Sequence, residues 1–172
     1  MKILVPVDGS DYSLKAVESA CDLAKAGVVD VVGARDELIQ VVQNLVDNAI
    51  KYGASGGRIV ITAGNAGESE ARKSSFVAVR DFGEGIAREH IPRLTERFYR
   101  IDVQRSRQTG GTGLGLAIVK HIVNRHRGTL SIESSLGEGS TFTVILPQVA
   151  EGAAAMVPPE SAPVPQRLAQ TA

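Results

Sequence analysis

The chain has 172 residues, 43% of them hydrophobic and 22% charged, with 18 glycines, 7 prolines, no tryptophan and one cysteine. That length suits one domain plus an appendage, since domains run about 100 to 200 residues. Nineteen Lys and Arg balance nineteen Asp and Glu, so no bulk basic field exists to hold nucleic acid or an anionic membrane, and any bound anion must be met by local groups.

Lys2 to Val7 reads as a buried strand, Asp8-Gly9-Ser10 as a turn, and Asp11 to Ala26 as a helix ended by Gly27. MKILVPVDGSDYS lacks the long apolar stretch and cleavage site of a secretory signal, and no run approaches a membrane span; a cytoplasmic chain without a membrane segment is expected. Cys21 shares a helix face with Leu14, Val17 and Ala24 and reads as packing, because a lone thiol can close no intrachain disulfide. A short apolar stretch, Val28 to Val32, precedes a helix from Arg35 to Tyr52 closed by Gly53.

On that helix Leu38, Val42, Leu45 and Ala49 form an apolar stripe, while Asn44, Asn48 and Lys51 adjoin it, with Tyr52 at the edge. Two readings stand: a solvated flank, or a ligand wall in which carboxamide oxygens meet a hard cation, Lys meets phosphate and Tyr lies on a flat base.

Arg58 to Ala63 and Phe76 to Phe82 alternate as strands around the polar loop NAGESEARKSS. Asp81 shares a strand face with Val77 and Val79, which aims a carboxylate at the core. It either caps the turn at Gly83 and Gly85 or accepts a hydrogen bond from a ligand amine.

The stretch from Gly83 to Gly111 reads as irregular. Residues 86 to 110 hold six arginines (88, 93, 97, 100, 105 and 107) against three acids, an excess that could meet phosphate if the segment closes as a lid. In TGGTGLGLAIVK, Gly110, Gly111, Gly113 and Gly115 run into a helix N-terminus, a candidate phosphate cradle that is neither a Walker loop nor a dinucleotide fingerprint. The helix, from about Thr112 to Arg127, carries Leu114, Ile118 and Ile122 on its expected core face and stops at Gly128. Thr129 to Glu133 and Thr141 to Leu146 read as a closing hairpin around LGEG, and residues 150 to 172, rich in Ala and Pro, as a disordered tail.

These elements, in this order, resemble the catalytic ATP-binding domain of sensor histidine kinases, in the superfamily that includes Hsp90-like chaperones and type II topoisomerases. The resemblance covers about residues 30 to 148. NLVDNAIKYG is similar to that family's asparagine box, DFGEG to its first glycine box, RLTERFYRID to its phenylalanine box and GGTGLGLAIVKHIV to its second glycine box.

The fold so implied is a Bergerat-type two-layer α/β sandwich, a mixed β-sheet with helices on one face. The cofactors implied are ATP and Mg²⁺. Asn48 would bind the metal, with Asn44 supporting metal or phosphate and Lys51 contacting phosphate. Tyr52 would pack on adenine and Asp81 accept its exocyclic N–H. Gly83 and Gly85 would let the backbone pass the base, while Gly111, Thr112, Gly113, Leu114 and Gly115 would hold the phosphates. Arg97 or Arg100 would reach the γ-phosphate, and Phe98 would anchor the lid.

Relatives that hydrolyse ATP carry a Glu where this chain has Asn44, so hydrolysis is expected to be slow. The acceptor motif of the kinases is absent around His90, His121 and His126. Transfer to a histidine on a separate acceptor domain, and from there to a response regulator, is therefore the implied activity; the alternatives are a slow ATPase or a nucleotide-binding module without transfer.

Residues 1 to 27 resemble instead the opening strand and helix of universal stress proteins, without that family's later phosphate-binding motif. A fusion, natural or engineered, is expected near residues 27 to 33: residues 1–27, a catalytic domain over 28–149 and a tail over 150–172. A dimer contact through the N-terminal segment is a further expectation.

Overall fold

The computed structural model describes residues 2–6, 35–66, 74–101 and 112–147. The expected helix over 11–26, the stretch 28–32, Cys21, most of the polar loop, Arg105, Arg107, Gly110, Gly111 and the tail over 150–172 lie outside the described residues. Seven regular elements follow in chain order: β1 (Lys2–Pro6), α1 (Arg35–Gly53), β2 (Arg58–Ala66), β3 (Ser74–Asp81), α2 (Gly115–Arg125), β4 (Thr129–Ser135) and β5 (Gly139–Pro147).

The strands form one sheet in the order β1-β2-β3-β5-β4. Every neighbouring pair is antiparallel, which corrects the expectation of a mixed sheet. Parallel neighbours need a crossover connection. The crossover from β3 through α2 does return β4 in the direction of β3, but β5 folds back from β4 and inserts between them.

Alternation along the strands supplies one apolar face. Ile59 and Ile61 on β2, Val79 on β3, and Phe142, Val144 and Leu146 on β5 are buried together with Val41, Val42, Leu45, Val46 and Ala49 of α1 and Val119, Ile122 and Val123 of α2. Both helices thus cover the same side of the sheet, as the sandwich requires. The buried face of α1 is wider than the single stripe expected, because the helix meets the sheet on one flank and α2 on the other. In α2 the stripe is rotated: Val119, Ile122 and Val123 are buried, whereas Leu114 and Ile118 are only half-buried. Leu114 caps the helix instead of lying within it.

The end of α2 also differs in detail from its expected glycine stop. Arg127 takes the left-handed conformation (φ 54°) and the Gly128 N–H bonds the Val123 carbonyl at 2.8 Å, a Schellman closure. Gly128 is needed for space: a Cβ there would lie 2.6 Å from Leu146 Cδ2 on β5. Across the same end, Glu37 in the first turn of α1 bonds Arg125 Nη1 at 2.7 Å and His126 Nε2 at 3.0 Å, pinning the start of one helix to the end of the other.

Candidate nucleotide-binding site

The opposite end of the helix layer gathers the residues that the motifs single out. Asp81 terminates β3 on the core-facing side, and only 5% of it is exposed. Its Oδ1 accepts the Gly83 N–H at 3.0 Å and the Ser140 N–H at 3.2 Å. Burial pushes the carboxyl above its ordinary range, against the lowering by those two N–H groups and by the Arg80 guanidinium. The turn-capping and ligand-accepting readings are therefore not exclusive: one oxygen caps, and the second is the remaining acceptor.

The end of α1 closes on this carboxylate. A Cβ on Gly53 would overlap the Asp81 side chain, coming 2.9 Å from its Cγ, and one on Gly83 would lie 2.7 Å from both Gly53 Cα and the Tyr52 carbonyl oxygen. Gly53 and Gly83 are thus glycines because two backbones and a carboxylate share one space. Gly85 has φ +70°, and a Cβ on it would strike the Ser135 carbonyl. Phe82 is held between the guanidinium groups of Arg58 and Arg80, 4.1 and 4.7 Å from its ring centre, which fixes the turn from the outside.

Back along α1 from Gly53, Asn48 and Lys51 are half-buried, and Tyr52 is 43% exposed. Asn44 Nδ2 donates to the Gln40 carbonyl at 2.9 Å. Its Oδ1 faces Gly115, where a Cβ would come within 3.0 Å. The middle of α1 is thereby joined to the start of α2.

Gly113 has φ +70°, and its carbonyl accepts the Phe98 N–H at 2.8 Å. Its Cα lies so close to the Phe98 backbone that a Cβ would sit 2.9 Å from Phe98 Cα. Phe98 meets Gly113 through its main chain: it has φ +66° and the residue is 70% exposed. Lys120 Nζ donates to Thr95 Oγ1 at 3.2 Å, a second tie between α2 and this segment. Within it, His90 Nδ1 and Tyr99 Oη are 2.8 Å apart and Arg93 stacks on the Tyr99 ring at 4.2 Å.

Asn44 and Gly115 thus meet at the middle of α1, and Gly53, Asp81 and Gly83 at its end, with Asn48, Lys51 and Tyr52 on the stretch of α1 between them, while Gly113 meets Phe98. Thr112 Oγ1 accepts the Leu114 N–H at 3.4 Å, just before the start of α2. Arg97 is exposed on the arginine-rich segment and Arg100 is half-buried. Sequence reasoning missed Ser140, which holds Asp81, and Ser134, whose Oγ meets Ser140 Oγ at 3.0 Å and the Ile86 N–H at 2.8 Å. It read LGEG only as the turn of a hairpin and gave Ser134 and Ser140 no role. The one local signal was Gly139, whose φ of +91° lets it pass against the Asp81 carbonyl.

A family profile described as "Histidine kinase-, DNA gyrase B-, and HSP90-like ATPase" matches residues 33–150. The chain belongs to this family, and its matched part is the nucleotide-binding catalytic domain of the sensor histidine kinase type. It is 44% identical over 131 residues to the sensor histidine kinase RppB of Synechocystis sp., an alignment covering 76% of this chain and 28% of that protein. It is 50% identical over 121 residues to the phosphate regulon sensor protein PhoR of Pseudomonas aeruginosa, covering 70% and 26%. The chain therefore spans about a quarter of the length of these curated relatives. Among solved structures, the mycobacterial sensor histidine kinase MprB superposes with a TM-score of 0.59 at 23% identity, over 86% of this chain and 97% of that one, a likeness of fold. Among the described residues, no helix is long and apolar enough to cross a membrane.

Proposed function

We propose that residues 28–149 bind ATP with Mg²⁺ and transfer the γ-phosphoryl to a histidine on an acceptor domain, from which a response regulator is served. The observation that carries this reading is Asp81: a carboxylate kept buried at a cost, with one oxygen saturated by backbone N–H groups and the other left to accept an exocyclic amine.

Around that anchor, Tyr52 lies against adenine, and Gly83 and Gly85 hold the loop beside the base. Asn48 is the metal ligand; a neutral carboxamide oxygen suits Mg²⁺, which takes few protein ligands and completes its shell with phosphates and water. Asn44 fits a supporting role, because its amide donor is already committed to Gln40 and its oxygen lies at the start of α2. Bound there, the ion supplies charge neutralisation on the phosphates. Lys51 and the amides of Gly111 to Gly115 meet the phosphate oxygens, and Arg97 and Arg100 close over them.

Hydrolysis is slow in this reading because Asn44 cannot act as a base. The chain's own histidines are poor acceptors. His90 is engaged by Tyr99 and His126 by Glu37, and His121 sits on α2 with no acceptor motif around it.

Incubation with γ-labelled ATP, Mg²⁺ and the separately purified acceptor domain of a sensor kinase tests the assignment. Labelled histidine is expected. Nucleotide binding without label would instead favour a module that binds but does not transfer, and steady phosphate release without an acceptor would favour an ATPase.

We also propose that residues 1–27 are a universal-stress-protein-like addition fused ahead of the catalytic domain, in a chain that works in the cytoplasm. The family match starts at residue 33, while Lys2–Pro6 pairs with β2 as the outermost strand. Among the described residues β1 is an edge strand, and a dimer pairing through it is tested by light scattering of the chain with and without a β1 proline substitution, Leu4→Pro.

A further inference from the structure

The Ser134 hydroxyl lies at a crossing of three bonds that none of the motif residues makes. It accepts the Ile86 N–H at 2.8 Å, lies 2.9 Å from the Gly139 carbonyl oxygen and 3.0 Å from Ser140 Oγ. A serine hydroxyl has one proton and two lone pairs. The Ile86 N–H can only donate and the Gly139 carbonyl can only accept, so the Ser134 proton goes to Gly139. The proton between the two hydroxyls must then come from Ser140.

That assignment has two consequences. The loop leaving DFGEG is tied at Ile86 to the β4–β5 hairpin. The Ser140 hydroxyl, with its proton spent on Ser134, offers only lone pairs to any other group. Ser140 is 5% exposed and its own N–H is bonded to Asp81 Oδ1. The polar groups at the end of β3 therefore present acceptors without a competing hydroxyl donor.

We propose that Ser134 is a positioning residue for base recognition: by orienting the Ser140 hydroxyl and holding the Ile86 loop, it makes the Asp81 site selective for a 6-amino purine over a 6-oxo purine. The inference rests on the ATP-binding reading above. It extends that reading from the residues that touch the base to one that sets their hydrogen-bond polarity.

Calorimetric titration of the full chain with ATP and with inosine triphosphate, each with Mg²⁺, tests it. The wild type is expected to bind ATP about tenfold or more tightly than the 6-oxo analogue, because a 6-oxo group would face acceptors only. In Ser134→Ala, the Ser140 proton is released and can be turned toward a 6-oxo group. The ratio of the two affinities is expected to shrink roughly fivefold, chiefly through tighter binding of the 6-oxo analogue, and Ser134→Thr is expected to restore it. If both nucleotides weaken by the same factor in Ser134→Ala, or the ratio stays at the wild-type value, Ser134 is only structural and the proposal is overturned. Should Ser134→Ala fail to fold, Ser134→Cys preserves the volume with a weak donor and must shrink the ratio in the same direction. A wild type that binds neither nucleotide overturns the ATP-binding reading itself, whereas normal ATP binding with an unaltered ratio in the variants overturns this proposal alone.

Discussion

Asp81 Oδ1 accepts the Ser140 backbone N–H across 59 residues of chain, at 3.2 Å. This bond and the local one from Gly83 hold one carboxylate oxygen still, and with it the direction of the other. The buried charge is unfavourable in the unliganded protein, so the site is expected to trade stability for affinity.

Asp81→Asn measures that trade. Loss of a charge-assisted hydrogen bond is expected to weaken ATP roughly ten- to a hundredfold, about 1.4 to 2.8 kcal/mol, by calorimetry. Unliganded Asp81→Asn is expected to melt no lower than wild type at neutral pH. Unchanged ATP affinity would reduce Asp81 to a turn cap.

The pH dependence has a definite sign. The folded-state pKa of Asp81 is raised above its unfolded value, with burial as the largest cause. Its contribution to stability is therefore fully present below the unfolded pKa of about 3.9 and is lost as pH rises through the folded value. The melting temperature of Asp81→Asn relative to wild type should accordingly increase from pH 4 upward and level off once the folded carboxyl is ionised. A difference that is flat with pH, or that shrinks as pH rises, would contradict the burial cost.

Gly83→Ala is expected to destabilise the domain by about 1 to 3 kcal/mol, the usual cost of overpacking, and to abolish measurable ATP binding, because the added methyl meets Gly53 Cα and the Tyr52 carbonyl at 2.7 Å. Gly137→Ala is the control. Its φ of +81° makes alanine strained, at a cost of about 1 to 2 kcal/mol, but nothing lies within 4 Å of the new Cβ. Denaturant unfolding should report both changes, and ATP affinity only the first.

Asn48→Ala should weaken ATP about tenfold when Mg²⁺ is present and much less when the ion is chelated. Equal weakening under both conditions would place Asn48 on the nucleotide and not on the metal.

Glu37→Gln tests the far end of the helix layer. Its carboxylate bridges Arg125 and His126, and the His126 side chain is only 12% exposed. Because Glu37 and Arg125 remain partly solvated, the loss should be modest, about 0.2 to 1 kcal/mol in denaturant unfolding, and smaller in high salt. ATP affinity should not change. A large effect on ATP would mean that the packing of α1 on α2 transmits to the nucleotide end.

Much of the candidate site was legible because its residues sit in short spacings. The steps from Asn44 to Asn48 to Lys51 follow one helix face, and Val77, Val79 and Asp81 follow one strand face, so periodicity alone grouped them. The rotated core stripe of α2 was not legible, because Leu114, Ile118 and Ile122 form as regular a pattern as Val119, Ile122 and Val123. The helix start at Gly115 and the position of α1 chose between them. Ser134 and Ser140 were missed because serine in a strand carries no periodic signal, and their value lies in what they touch.

From the residues alone came the class of fold, the family resemblance and the candidate groups, since these depend on hydrophobic period, glycine placement and motif order along the chain. Tertiary structure alone decided that the sheet is antiparallel between all neighbours, that Gly53 and Gly83 share space with Asp81, and that Phe98 meets Gly113 by its backbone. Those outcomes depend on contacts between segments distant along the chain: β5 inserting beside β3, the end of α1 meeting the end of β3, and Phe98 packing on Gly113. Close packing between such segments is set by the shapes of both partners, and a local pattern describes only one of them.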